Sequence, residues 1–294
     1  MKKSKENKYK FIDLFAGIGG FHLAFHNLGA ECVFVSEWDS PARKTYQTNF
    51  EKISPKVFKN GNFAGDIMAI DPKDMPDFDI LTGGFPCQPF SQAGKKKGFE
   101  EARGTMFFKI AEIIKAKQPK AFFIENVRHF MKHNNGETFK TVKRIIEKDL
   151  GYSFFPQIIK ASDYGLPTHR PRLYMVGFKD KSIKFDFPET KPLSLTMSDI
   201  FGGECNKKIG YTLRVGGRHS GLADRRNWDT YLVDGKVRRI SIEEGRKIMG
   251  FPQNFLFPVS ETQAMKQLGN SVAVTAIQAT AEKILDALKE SEKK

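Results

Sequence analysis

The sequence has little cysteine. Three residues, Cys32, Cys87 and Cys205, are spread through 294 positions, an odd number with no C-x-x-C spacing. That usage points to neither a disulfide framework nor a zinc site, no metal is expected, and a reducing compartment suits it. No apolar run approaches the roughly 20 residues that span a bilayer, and the charged residues 1–8 have no apolar segment of signal-peptide type behind them. A soluble, cytoplasmic protein without membrane contact is expected. No internal repeat or extended low-complexity tract is present, which argues against a solenoid. Acidic residues are the scarcer charge, 34 against 48 Lys and Arg, leaving +14. That balance favours a polyanionic partner, although alone it fits any soluble basic protein. The length suits one large domain carrying a smaller one.

What is present centres on Gly83-Gly84-Phe85-Pro86-Cys87-Gln88-Pro89-Phe90-Ser91, which follows the apolar run Asp79-Ile80-Leu81 and precedes a Gly- and Lys-rich loop. The pattern reads as a buried strand opening into a loop with one thiol at the junction. A packing cysteine would behave as a small hydrophobe and needs no special setting. Here Pro86 and Pro89 fix φ on either side of the thiol, Gly83-Gly84 permits close backbone approach, and Lys95, Lys96, Lys97 and Arg103 make the surroundings electropositive enough to favour a thiolate. Cys87 is therefore a candidate nucleophile.

Upstream, residues 10–15 read as a buried strand, Ala16-Gly17-Ile18-Gly19-Gly20 as a glycine turn, and the residues through Leu28 as a helix stopped by Gly29. Such a turn brings backbone N–H groups close to a ligand. A dinucleotide site would want Gly or Ala three positions after Gly19, where His22 stands, so an oxidoreductase is disfavoured. The second strand, 32–36, ends in Glu37-Trp38, an acceptor for a ribose diol and an aromatic on which adenine could stack. Taken alone, Glu37 could equally be a solvated carboxylate at a strand end. Asp66 is a second candidate nucleoside contact.

Residues 121–124 form a short apolar strand running into Glu125-Asn126-Val127, a carboxylate at a strand end where open α/β sheets meet ligands. Asn126 is also a candidate helix cap. Helices are expected at 40–50, 105–117 and 138–150. Strands at 153–161 and 172–178 should pair antiparallel, with Arg170 and Arg172 alternating onto one face where fixed charges suit a phosphate or carbonyl oxygen. From about Lys179 the helical periodicity fades. Residues 212–239 set Arg214, Arg218, Arg225, Arg226, Arg238 and Arg239 among His219, Asn227, Trp228 and Tyr231; arginine, asparagine and histidine on short strands and loops read base edges, whereas a solvated basic loop would more often use Lys, Glu and Ser. Ser241 with Glu244 forms a capping-box pattern, Gln267-Leu268-Gly269-Asn270-Ser271-Val272 leads into a last helix at 273–288, and that helix should dock on the first domain.

Five ordered motifs carry a family resemblance: Asp13-Leu14-Phe15-Ala16-Gly17-Ile18-Gly19-Gly20-Phe21, Pro86-Cys87-Gln88, Glu125-Asn126-Val127, Arg170-Pro171-Arg172 and Gly269-Asn270-Ser271-Val272. In this order they resemble the DNA cytosine-5 methyltransferases, and over 84–108 and the catalytic segments the compact bacterial HhaI-type members. The resemblance implies an α/β fold: a Rossmann-like, S-adenosylmethionine-dependent domain (1–178), a small, mostly β and loop target-recognition domain (179–240), and a returning C-terminal segment (241–294). It implies Cys87 as nucleophile and Glu125 as partner of cytosine N3, with Arg170 and Arg172 contacting base and loop. Phe15, Gly17, Gly19, Glu37, Trp38, Asp66, Pro86 and Asn270 would bind the cofactor, and Gln88, Ser91, Arg214, Arg218, Arg225 and Arg226 duplex DNA, with one monomer per site. Thr168 departs from the family's usual Gln ahead of the paired arginines. The tRNA-modifying branch typically has Cys-Phe-Thr where this chain has Cys87-Gln88-Pro89, which favours DNA. A non-catalytic DNA-binding regulator is disfavoured because Cys87 and Glu125 are both present.

Overall fold

The computed structural model describes residues 9–86, 105–216 and 220–293. Among these, seven strands share one sheet in the order β3-β2-β1-β4-β5-β7-β6, with β1 (Lys10–Leu14), β2 (Glu31–Ser36), β3 (Phe63–Ala64), β4 (Ile80–Gly84), β5 (Ala121–Val127), β6 (Phe155–Lys160) and β7 (Pro171–Phe178). Strands β1 to β5 pair in parallel, and β7 runs antiparallel between β5 and β6. The helices are α1 (Gly20–Asn27), α2 (Ser40–Phe50), α3 (Met106–Lys117), α4 (Glu137–Arg144), α5 (Met197–Phe201), α6 (Ile242–Ile248), α7 (Glu261–Asn270) and α8 (Val274–Ser291).

The central strands are near-continuous apolar runs because both faces of the sheet are covered. In β5, Ala121 and Phe123 enter one core while Phe122 and Ile124 enter the other. Each of these phenylalanines is fully buried, worth roughly 2–3 kcal/mol of transfer free energy. α8 docks on α1 over the first face, with Ile277, Ile284 and Leu285 inward, and Ile110, Ile113 and Ile114 of α3 fill the second. The result is a three-layer, Rossmann-like α/β fold. None of the described helices is long and apolar enough to cross a membrane.

After Phe178 the sheet ends. The chain then builds α5 and an antiparallel ribbon of β8 (Thr230–Val233) and β9 (Lys236–Arg239). Asp234 and Gly235 both have positive φ, 49° and 71°, the geometry of a tight hairpin turn whose twist matches its strands. Trp228 and Tyr231, grouped in the sequence with base-reading side chains, form the buried centre of this part. Trp228 Nε1 donates to the Gly216 carbonyl at 2.8 Å, and the Tyr231 hydroxyl accepts from Tyr211 N–H at 2.8 Å. Asn227 is buried as well and exchanges two hydrogen bonds with the Thr230 backbone.

Three local expectations change. The helix expected over 138–150 is α4 followed by a π turn at Ile145–Asp149, ended by Gly151 at φ 76°. The lead-in at 267–270 is the last turn of α7, which Ser260 caps and whose Ala264, Met265 and Leu268 are buried. Gly269 is required there because a Cβ would lie 2.7 Å from the Arg214 backbone. Asn126 caps no helix: it lies in β5, and its Nδ2 donates to the Phe85 carbonyl at 3.0 Å.

Candidate active site at the carboxyl edge of the sheet

Sheet order reverses between β1 and β4, and at such a switch point the loops leaving the strands diverge and open a crevice. Four strand ends meet there. β1 delivers Phe15, held at φ 54°, a left-handed conformation that costs a bulky residue on the order of 1 kcal/mol, and then the glycine turn. The two turn glycines serve different purposes. A Cβ on Gly17 would meet nothing within 4 Å among the described residues, whereas a Cβ on Gly19 would lie 2.3 Å from the Phe50 ring. The Cβ side of Gly19 is thus brought against the α2 aromatics. His22 completes that packing: it is fully buried, stacks on Phe50 at 4.2 Å, and bonds the Tyr46 hydroxyl and, at 2.9 Å, Ser54.

β2 delivers Glu37, whose Oε2 accepts from Gly17 N–H at 2.7 Å and Oε1 from Asp39 N–H at 2.8 Å. Burial pushes this carboxyl above its usual range while the two backbone donors pull it back. A carboxylate has about four acceptor positions, so lone pairs remain for hydroxyls of a ligand. Beside it Trp38 is 82% exposed, an unusual setting for a tryptophan and an open platform for an aromatic ring. Asp66 is exposed at the end of β3 and accepts from Met68 N–H at 2.9 Å.

β4 and β5 meet with Gly84 opposite Glu125, and a Cβ on Gly84 would lie 3.4 Å from Glu125 Oε2. Glu125 is buried at the end of β5, and Arg172 Nε reaches its Oε1 at 3.0 Å. Arg172 pairs with Val127 across the antiparallel ladder, which makes it the diagonal neighbour of Glu125 on the same face. Burial pushes the Glu125 carboxyl up, against the opposing pull of Arg172 and Arg170. Phe85 packs on Phe107 and Phe130, and Asn126 holds its carbonyl, so the chain leaving β4 is fixed to the exposed Pro86. Cys87, Gln88, Ser91 and the loop 92–104 lie outside the described residues.

Arg170 does not share the setting of Arg172. The chain turns at Arg170, φ 26°, and the side chain is only 2% exposed. Its guanidinium donates to the carbonyls of Leu213 at 3.1 Å, Gly269 at 2.9 Å and Ser271. Burial, then the like charge of Arg172, pushes it down to about 9, which leaves it charged at neutral pH. It therefore joins β7 to the segment after it and to the end of α7, and faces no open space. Thr168 acts alongside, fully buried and donating to the Tyr211 carbonyl at 2.9 Å. Asn270 is exposed at the last residue of α7.

The arginines of 212–239 are less free than the sequence suggests. Arg214 donates to the Arg226 carbonyl at 2.7 Å, Arg226 forks onto Asp224 at 3.2 and 2.9 Å, and Arg238 pairs with Glu244 at 2.8 Å. Arg225 and Arg239 are exposed, and Arg218 lies outside the described residues. Asn126 ties down the chain leaving β4 instead of capping a helix, and the signal for that role is its place one residue after a strand-end carboxylate.

A family profile for C-5 cytosine-specific DNA methylases matches residues 9–215 and 204–286. The chain is 44% identical to the Type II methyltransferase M1.ScrFI of Lactococcus lactis subsp. cremoris, covering 98% of this chain and 81% of that one. It is 41% identical to M.HpaII of Haemophilus parainfluenzae (96% and 90% covered) and 38% identical to M.HhaI of Haemophilus parahaemolyticus (92% of each). Among solved structures, a DNMT2 mutant of Spodoptera frugiperda superposes with a TM-score of 0.70 at 19% identity, over 96% of this chain and all of that one. The methyltransferase EhMeth of Entamoeba histolytica does so with 0.70 at 18%, over 98% and 100%. These two likenesses concern the fold.

Proposed function

Because the chain belongs to the C-5 cytosine-specific DNA methylases, we propose that it methylates C5 of a cytosine extruded from a specific duplex DNA sequence, through a covalent bond between Cys87 and C6, as the modification partner of a restriction enzyme. The observation that carries this reading is the buried Glu125, paired with Arg172 and facing Gly84, three residues before the thiol. Residues 1–178 would form the catalytic domain, 179–240 the recognition domain and 241–294 the returning segment, acting as a monomer on DNA in the cytoplasm.

The family uses S-adenosylmethionine, and the crevice suits it: open space at Gly17 among the described residues, a backbone-anchored Glu37 for the ribose hydroxyls and an exposed Trp38 for the adenine. When bound, it supplies a methyl group made electrophilic by a sulfonium. Cytosine C5 is too poor a nucleophile to take that methyl unaided. The Cys87 thiolate adds to C6 while the Glu125 carboxyl, pushed up by burial, gives a proton to N3, and the electron density displaced from the C5–C6 double bond makes C5 nucleophilic. Arg172 orients the carboxyl and stabilises it once ionised. After transfer, loss of the C5 proton expels the thiolate from C6 and restores the double bond. The base must leave the stack for any of this, since neither face of C6 is open inside a duplex.

A duplex carrying 5-fluorocytosine at the target tests the reading. Fluorine cannot leave as a cation, so wild-type protein should methylate the base once and stay bonded through denaturing electrophoresis. Cys87→Ser should give no adduct, and Glu125→Gln should form it at least about 100-fold more slowly. A wild-type enzyme that methylates ordinary DNA yet leaves no stable adduct on the fluorinated target would overturn the covalent assignment.

A further inference from the structure

The sheet is thinnest where it must hold a ligand. β3 contributes only two ladder pairs, Val35 with Phe63 and Ser36 with Ala64, yet the residues just beyond it and beyond β2 are the candidate adenosine contacts Asp66, Glu37 and Trp38. Backbone pairing stops one bond later, at Glu37 N–H to the Ala64 carbonyl, 3.2 Å. Arg43 takes over from there. Its Nη1 donates to the Glu37 carbonyl at 2.9 Å and to the Ala64 carbonyl, its Nη2 donates to the Phe63 carbonyl at 3.1 Å, and the guanidinium lies 4.0 Å over the Phe63 ring. The Ala64 oxygen thus accepts from both the Glu37 amide and the guanidinium, using both its lone pairs.

The connection closes on itself. Glu37 holds the Asp39 amide, Asp39 caps α2 by accepting from Ala42 N–H at 3.1 Å, and one turn into α2 Arg43 reaches back to the carbonyl of Glu37. A planar fork with five donors and a stackable face meets three converging carbonyls and a ring together; an ammonium on a flexible stem does not.

We propose that Arg43 is a positioning residue for cofactor binding: its guanidinium sets the spacing between the strand ends carrying Glu37 and Trp38 on one side and Asp66 on the other. The proposal rests on the S-adenosylmethionine reading above. It assigns Arg43 no contact with the cofactor, only the width of the adenosine cleft.

The sequence has two tryptophans, Trp38 exposed and Trp228 buried at 1%, so fluorescence quenching by bound cofactor reports the adenine platform against a constant background. Wild type, Arg43→Lys and Arg43→Gln are titrated with S-adenosylmethionine without DNA, by calorimetry and by fluorescence, and separately with duplex DNA. Arg43→Gln should raise the cofactor Kd roughly tenfold or more and reduce the quench at saturation, and Arg43→Lys should fall between it and wild type. DNA affinity, and kcat at saturating cofactor, should stay within about twofold of wild type. Unchanged cofactor Kd and quench in both variants would overturn the proposal, as would parallel losses of cofactor affinity, DNA affinity and Tm, the signature of a general structural role. If Arg43→Gln does not fold, Arg43→Lys decides on the same readouts. Absence of cofactor binding by the wild type would instead defeat the reading beneath the proposal, so the two failures are distinct.

Discussion

The carboxyl edge of the sheet and the segment 204–239 handle their charges in opposite ways. At the sheet edge, the candidate site residues are anchored by backbone: Glu37 by two amides, and the chain leaving β4 by Asn126 on the Phe85 carbonyl. In the second region arginines are engaged with neighbouring acids and carbonyls, Arg226 with Asp224 and Arg214 with Arg226, at the surface. A site that must stabilise a transition state needs groups already fixed, because reorganising them would cost activation energy. A surface that compares sequences tolerates, and can use, partners that exchange for DNA acceptors on binding.

Arg170 links the two regions, and its removal should give the largest effect. Arg170→Ala leaves three carbonyls without their charged donor, at a cost of about 3 kcal/mol or more in urea unfolding. Arg172→Ala should cost far less stability but lose kcat, since the Glu125 carboxyl it orients can be neutral once that partner is gone. The reverse outcome would mean that the two arginines have been assigned to the wrong regions.

A smaller effect sharpens the account of the sheet edge. Trp38→Ala should weaken cofactor binding by on the order of 1 kcal/mol through lost stacking, with unfolding free energy unchanged because the side chain is exposed. Equal affinity in calorimetry would remove Trp38 from the crevice.

The smallest effect belongs to the second region. Asp224→Ala frees the Arg226 fork and should tighten duplex binding about two- to threefold, with a steeper salt dependence, while Arg226→Ala should lower discrimination between target and random duplex. If Arg226→Ala weakens both duplexes equally, the residue is a phosphate contact and the base-reading groups lie elsewhere.

The strands and most helices were legible because their signals are local: apolar runs for β1, β2, β4 and β5, the apolar spacing of α3, the capping box at Ser241. The placement of Glu125 and Glu37 at the ends of β5 and β2 was legible from the apolar runs that precede them. What stayed hidden depends on partners distant in sequence. Gly17 and Gly19 look equivalent until Phe50 comes against one of them, and Arg170 looks like Arg172 until carbonyls 43, 99 and 101 residues away converge on it. Trp228 and Tyr231 sit in an arginine-rich stretch that gives no sign of a core, but the carbonyl of Gly216 and the amide of Tyr211 hold them inside.

The reversal of β7 has a consequence for how the molecule could be divided. Because β7 runs against its neighbour β5, Arg172 near its start lies at the crevice edge, and Phe178 leaves the sheet at the opposite edge, roughly 20 Å away at the usual rise of an extended chain. The exposed residues 179–182 that follow are thus remote from the crevice although they separate its two halves in sequence. A break between Lys181 and Ser182 would yield one piece holding the whole sheet and another holding α5 to α8. The second piece would be drawn back by the apolar face of α8 on α1 and by the carbonyls that Arg170 grips, making a two-chain methyltransferase whose activity reports whether its halves have met.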